Sequence, residues 1–513
     1  MTSLNTTATI NIKLIRGFPL GLKLAITLAL AGLADWLFYD EQVGLSLVIF
    51  AIAIACGSAL ANHAILNRRR SLLGGVIVVA GLLPAVEEVN AVSFIILVLA
   101  LALGLLLTTN PNTTELGERA RALRNFFLIG PFRIFRDAIR IVRISDLSSF
   151  ARSLAVWTIP VVLGAIFAAL FAAANPLIER WIALLNPTHA AEHASLPRIL
   201  FWMLMIALIW PFIHVRWRRR SRVVTAAAAE PPEQEPSIQR RNLEATFKLL
   251  EVPTVLRSLI LFNLLFAMQS VLDAIYLWGN VALPAGLTYA TYAHHGAYPL
   301  IATALLAAAF VLVAMRPGGP AEKSKVVRPL VYLWVGQNVL LVASSILRLD
   351  LYIEIYLLTY WRLAAFIWMG LVALGLILIF ARIALNRSNR WLIGANVIAL
   401  TTVIYAASLV NFDAIIADYN VAHSREFSGK GVTIDADYLL QLGPQALPAI
   451  EKAMRIRPDD PGNAPLVWRR NKLVEQQKED MSSWRGWGFR SWRLQRRLDA
   501  ETEHQQGEPQ AAG

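Results

Sequence analysis

The chain has 513 residues, of which 56% are hydrophobic and only 16% charged, with a mean hydropathy of +0.52. A soluble domain carries roughly 25% charged residues, so these values exclude a water-exposed globular protein of this length. Net charge is +13, but the basic residues lie in short loops between apolar blocks, the pattern of positive-inside bias and not of a nucleic-acid surface.

The apolar blocks fall at 20–38, 43–65, 71–88, 91–108, 153–174, 199–215, 256–279, 297–315, 329–347, 361–385 and 391–411. Each is about 17–25 residues, the length a helix needs to cross a bilayer. Continuous runs of this kind exclude the ten-residue alternation of a barrel, and only helices and closed barrels satisfy their backbone in lipid. The sequence therefore predicts an all-α, polytopic transmembrane bundle of about eleven spans, with a small helical extracytoplasmic C-terminal segment. The first block is followed by Tyr39-Asp40-Glu41 and not by a small-residue cleavage site, so it reads as a span. Cys56, the one cysteine, lies inside an apolar run, and no disulfide framework is expected.

Lys and Arg set the orientation. Thirty fall on the side that receives the N-terminus, four on the opposite loops and fourteen in the tail beyond Phe412. This predicts an inner-membrane protein with a cytoplasmic N-terminus and, with an odd number of spans, an extracytoplasmic tail.

Domain organisation follows. Residues 1–215 form a six-span bundle with a cytoplasmic amphipathic loop at 115–149. Residues 216–255, which include AAAAEPPEQEP, read as a linker, and 256–411 as a five-span bundle. The loop 115–149 reads as two helices broken at Gly130-Pro131. In the second, Phe132, Phe135, Ile139 and Val142 share a stripe, flanked by Arg133, Arg136, Arg140 and Arg143. That pattern suits a helix in the headgroup plane with arginines on anionic lipid; the alternative is a helix packed under the bundle.

Residues 412–458 predict a helical extracytoplasmic segment, in which Asp435 caps a helix, Gly443-Pro444 turns the chain and a second helix runs to Arg457. Residues 459–513 are polar and read as disordered, so truncation at Pro458 should leave the bundle folded. Within them, Trp484, Trp487, Phe489 and Trp492 alternate with arginines, which reads as an interfacial anchor.

Two stretches, FNLLFAMQSVLDAIYLWGN at 262–280 and GLTYATYAHHGAYPLIATALL at 286–306, resemble the bacterial families of unknown function numbered 4153 and 4173. NFDAIIADYNVAH and DADYLLQLGPQALPAI in the tail are similar to the family's C-terminal end. The resemblance implies a multi-spanning membrane protein and supplies no activity. The chain departs from the family at His294, where arginine is usual.

Chemistry-bearing motifs are few. HAAEH at 189–193 has the H-x-x-E-H spacing of a zinc site, with His294 and His295 expected on the same side. It sits in a loop with no protease domain around it, so no metal, cofactor or catalytic residue is expected. Acids in short outer loops, Asp40, Glu41, Glu87 and Glu88, are the candidates an enzyme acting on lipid-linked substrates would need. The candidate site is instead a polar cluster in the second half: Asn263, Asp273, Gln337, Arg348 and Arg362. Asn263, Gln269, Ser270 and Asp273 share one face of their helix, and Gln337, Ser344 and Arg348 share one face of another. Polar stripes are costly in lipid and should face protein or a cavity, with Asp273 pairing with Arg348 or Arg362. The functional expectation is an envelope sensor or scaffold. The alternative is a secondary transporter with a polar site between the C-terminal spans.

Overall fold

A computed structural model describes residues 19–63, 68–110, 116–137, 196–217, 252–279, 303, 306, 310, 324–429, 431–456 and 463–507. All regular structure among the described residues is helical. Seven of these helices are long and apolar enough to cross a membrane, and Leu45–Ala61 and Pro197–Ile213 are apolar but shorter. These nine fall on nine of the blocks read from the sequence. The other two, 153–174 and 297–315, lie outside the described residues, apart from the helical Thr303, Leu306 and Phe310. The chain divides into two compact units, Met1–Arg222 with Gln477–Gly513, and Val223–Gln476.

The first unit contains α1 (Leu20–Phe38), α2 (Leu45–Ala61), α3 (Arg68–Glu87), α4 (Ala91–Thr109), α5 (Leu116–Ile129) and α6 (Leu196–Ile213). The tight α3–α4 hairpin is specified at its turn and along its seam. Asn90 caps α4 by accepting from Ser93 N–H at 3.0 Å, while its own N–H donates to Ser93 Oγ at 2.9 Å. Along the seam a Cβ on Gly81 would lie 2.2 Å from the Ala100 Cβ, and one on Gly74 would lie 2.6 Å from the Thr108 methyl. Small residues let the two backbones close in, as helix packing in lipid requires.

One end of this unit gathers the start of α1 and the ends of α2, α4 and α6. Ser58 Oγ and Asn62 Nδ2 both donate to the Phe212 carbonyl, at 2.8 and 3.2 Å, and Lys23 Nζ reaches Asn62 Oδ1 at 3.5 Å. Trp217 Nε1 donates to Thr109 Oγ1 at 2.7 Å. At the opposite end Arg198, near the start of α6, pairs with Asp35 near the end of α1.

The break after α5 falls at Gly130-Pro131, where a Cβ on Gly130 would lie 2.0 Å from the Phe126 carbonyl oxygen. Around the break Phe126 and Ile134 are buried, Phe126 edge-on against Phe212 at 4.9 Å. Of the apolar stripe, Phe132 is exposed and Phe135 half-buried, and Ile139 and Val142 lie outside the described residues. Arg140 and Arg143 lie outside the described residues.

In the second unit, α7 (Val252–Asp273) continues into a π-helical turn, Ala274–Trp278. It packs on α8 (Val327–Tyr356), followed by α9 (Tyr360–Ala384) and α10 (Asn389–Leu409). Leu259, Trp334, Leu341 and Met369 lie at the core of this bundle. Helix α8 runs 30 residues, about 45 Å at 1.5 Å per residue, well beyond a hydrocarbon layer of about 30 Å. The sequence reading ended this span at 347; the helix continues because Leu349–Tyr356 contains neither glycine nor proline. It stops at Leu357, whose φ of +65° is left-handed.

The extramembrane part of this unit begins with α11 (Phe412–His423), then α12 (Ala436–Gln441), α13 (Leu447–Ile456) and α14 (Asn463–Asp480). Asp435 accepts from Tyr438 N–H at 2.9 Å to cap α12, and Gly443 turns the chain at φ +75° ahead of Pro444. Asn420 clamps the α8–α9 turn, accepting from Leu358 N–H at 2.7 Å and donating to the Leu358 carbonyl at 3.0 Å.

Of residues 459–513, read as a disordered tail, the described ones include α14 and α15 (Phe489–Gly507). In the second unit Arg469 pairs with Asp437 at 2.6 Å and Arg470 with Glu451 at 3.0 Å. In the first unit the Trp487 carbonyl accepts from Leu45 N–H at 2.8 Å, and Arg485 reaches Glu41 at 2.9 Å. Arginine–carboxylate pairs hold this polar segment together with a few buried apolar side chains, Leu466, Leu473 and Leu494.

Candidate functional site

The polar seam of the second unit lies between α7 and α8. Every apolar neighbour on these helices must be buried in lipid or protein, so a polar side chain is stable only where the other helix answers it. Asn263 Nδ2 donates to the Leu259 carbonyl at 2.7 Å and, across the seam, to the Leu330 carbonyl at 3.1 Å. Gln337 Nε2 returns a bond to the Asn263 carbonyl at 3.2 Å. Toward the end of α7, Gln269 Nε2 donates to Asp273 Oδ1 at 2.9 Å, and Arg348 Nη2 donates to the same oxygen. The pair is almost fully enclosed, the side chains of Arg348 and Asp273 being 3% and 2% exposed. Asp273 is the last α-helical residue before the π turn, and such turns are frequent at functional positions.

Of the five candidates, the structure brings four onto this seam and separates the fifth. Arg362 does not meet Asp273. Its Nη1 donates to the Tyr356 carbonyl at 2.6 Å and to the Leu357 carbonyl, and its guanidinium stacks 4.6 Å above Tyr352. The reason lies in α8 itself, whose last carbonyls have no intrahelical donor and attract a cation.

Several buried polar atoms of the seam have no hydrogen-bond partner among the described residues: Asn263 Oδ1, Ser270 Oγ, Gln337 Oε1 and Asn338 Oδ1. Three of the four can only accept. A buried acceptor left in this way is exceptional and marks either strain or a place for a donor. The arrangement can thus do one of two things: clasp the helices, or pass a donor such as a protonated or cationic group along the row.

A family model described as a domain of unknown function (DUF4153) matches residues 74–453. The chain belongs to that family. No curated protein and no solved structure matches it. The DUF4153 region includes the whole seam, the Asn420 clamp and the α3–α4 hairpin, and it ends before α14.

Other sequence candidates fare differently. His189, Glu192, His193, His294 and His295 lie outside the described residues. Among the described residues no three His, Cys, Asp or Glu side chains gather as a metal site. Of the loop acids, Glu41 is engaged by Arg485, and Glu87 and Glu88 by Arg490, with Arg493 also on Glu87. Arg485 in turn lies between the rings of Trp36 and Trp484, 5.0 and 5.3 Å from their centroids.

Sequence reasoning missed one polar constellation altogether. Asp137, buried after the Gly130-Pro131 break, accepts from Trp210 Nε1 at 3.2 Å and from Arg216 Nη1 at 3.1 Å, with His214 Nε2 at 3.7 Å. The signal was available: an aspartate in an arginine-rich amphipathic segment, and a Trp-x3-His-x-Arg run at the end of a span.

Proposed function

We propose that this is an inner-membrane protein of the bacterial envelope, with a cytoplasmic N-terminus, that acts as a non-enzymatic sensor or scaffold through its extramembrane C-terminal segment. The observation that carries this reading is the binding of Arg485, Arg490 and Arg493 to Glu41, Glu87 and Glu88. Those pairs occupy three of the four acids an enzyme would need, all but Asp40, and fix a helical platform against the span-connecting loops. Trp484 on that platform, and Trp468 in the second unit, remain exposed, 46% and 57% accessible. Rigid amphipathic rings of this kind are common anchors at recognition surfaces. Photo-crosslinkers placed at Trp468 and Trp484 in living cells should yield discrete protein or polymer adducts. An absence of adducts at both positions, with the protein correctly inserted, sinks the proposal.

A second reading, a secondary transporter, draws on the row of unanswered acceptors at Asn263, Ser270, Gln337 and Asn338. It requires Asp273 to exchange partners during a cycle. Proteoliposomes carrying the wild-type chain should then show proton- or sodium-coupled solute uptake that Asp273→Asn abolishes while the protein stays folded. The enclosure of the Asp273–Arg348 pair favours a clasp, in which the same substitution lowers stability.

A further inference from the structure

The first unit carries two adjoining concavities that neither functional reading uses. One is a groove of about 670 Å³, within the roughly 300–1,000 Å³ of ordinary ligand sites. Its walls are almost wholly apolar, and it runs from Phe38 and Val89 at one end to Phe126 and Pro131 at the other. The other is a pocket of about 220 Å³ walled by Ile129, Arg133, Arg136, Asp137, Arg216 and Trp217. They meet where Phe126 of the groove stacks on Trp217 of the pocket, with ring centroids 5.6 Å apart and planes 23° from parallel.

The charge of the pocket is fixed by the packing around it. Asp137 is already engaged by Trp210 and Arg216, so its carboxylate is an anchor for the arginine and not an open acceptor for a cation. Arg133 Nη1 donates to the Arg216 carbonyl at 2.8 Å, which ties the second guanidinium to the same wall. Arg136 is exposed on the third side. Three guanidiniums thus surround one carboxylate, at the end of an apolar channel and next to the end of α6.

We propose that groove and pocket together bind one anionic phospholipid, its acyl chains along the groove and its phosphate among Arg133, Arg136 and Arg216. Planar guanidiniums are well suited to phosphate oxygens, and only a lipid joins such a headgroup to chains that match the groove. A soluble anion would leave 670 Å³ of apolar wall uncovered. The site is independent of the sensor and transporter readings, since it involves neither the tail nor the α7–α8 seam.

The test uses the full chain purified in mild detergent, with phosphatidylglycerol or phosphatidylcholine of identical acyl composition added, and native mass spectrometry to count retained lipid. The wild type should retain one phosphatidylglycerol with about tenfold preference, because both lipids offer the same phosphate but the choline ammonium of phosphatidylcholine would be repelled by the three guanidiniums, a like-charge contact of about 1–2 kcal/mol. Arg136→Ala, at an exposed position, should bring that preference close to unity without changing thermal stability. Leu208→Trp, which fills the groove from its exposed wall, should lower phosphatidylglycerol retention with the charge unchanged. Inorganic phosphate at the same concentration should not displace the lipid. Equal retention of the two lipids by the wild type, full preference in Arg136→Ala, or displacement by phosphate alone overturns the proposal. Should Leu208→Trp not fold, the Arg136→Ala comparison decides.

Discussion

Arg490 on α15 donates to Glu87 at 3.4 Å through Nε and to Glu88 through Nη1, joining residues 403 and 402 positions apart in the chain. Its side chain is only 3% exposed, so this is no surface ion pair of small effect. Removing one partner of a buried pair strands the other charge and costs about 3–5 kcal/mol, less here because Glu88 keeps some access to water. Arg490→Ala should therefore destabilise the first unit by about 2 kcal/mol, read as a lowered unfolding midpoint in detergent. Deletion of 489–507 should do at least as much. An unchanged midpoint for both variants would show that the tail is an ornament.

On the α7–α8 seam the prediction turns on the clasp. Asp273→Asn leaves the Arg348 guanidinium buried against a neutral amide and should cost about 3 kcal/mol, at the lower end for a broken buried pair. The double variant Asp273→Leu with Arg348→Met should recover most of the loss, because an apolar pair of similar volume removes both desolvated charges. Thermal denaturation of the three proteins checks this. A double variant no more stable than Asp273→Asn contradicts a simple clasp.

The nine described apolar helices, and the pairing of Asp273 with Arg348 or Arg362, were legible because the bilayer imposes a long, simple pattern on the sequence. Apolar runs of fixed length report the spans, and an aspartate and an arginine in such runs can scarcely stand alone. The Asp435 cap and the Gly443-Pro444 turn were legible for a local reason, since caps and left-handed turns are chosen within a few residues. The tail was not. Part of what holds it is arginines meeting glutamates some 400 positions away, and such pairs leave no period or motif in either segment. The orientation of Arg362 was missed because α8 outruns its apolar block, which moves the helix end and its unpaired carbonyls to where Arg362 begins the next helix.

The α3–α4 hairpin supports a test in which two neighbouring glycines give opposite results. Gly81→Val places a branched side chain where even a Cβ would lie 2.2 Å from Ala100. Overpacking of this kind costs about 1–3 kcal/mol or more, and two rigid helices have little room to yield. Gly75, on the same helix, has nothing within 4 Å of an added Cβ. Gly75→Ala should be neutral or stabilise by up to about 1 kcal/mol through helix propensity. Unfolding midpoints of the pair separate packing from propensity, and equal effects would remove the close approach as the cause.

The orientation prediction joins the sequence to the geometry. The start of α1 and the ends of α2, α4 and α6 meet through Lys23, Asn62, Phe212 and Trp217, and the loops after α1 and α3 carry the glutamates that hold the tail. Whichever side faces the cytoplasm, the tail must share a side with Glu41 and Glu87. The proposed topology, which follows the excess of arginine at the first end, puts that end in the cytoplasm. Reporters fused after Asn110 or Thr225 should therefore read cytoplasmic, and those after Leu283 or Ile434 external. Fusions remove everything downstream, so a full-length check is needed. In a Cys56→Ser background, Ser482→Cys lies at an exposed position between α14 and α15. It should react with a membrane-impermeant maleimide in intact spheroplasts. Labelling only after lysis would invert the topology, and with it the assignment of the tail to the outer face.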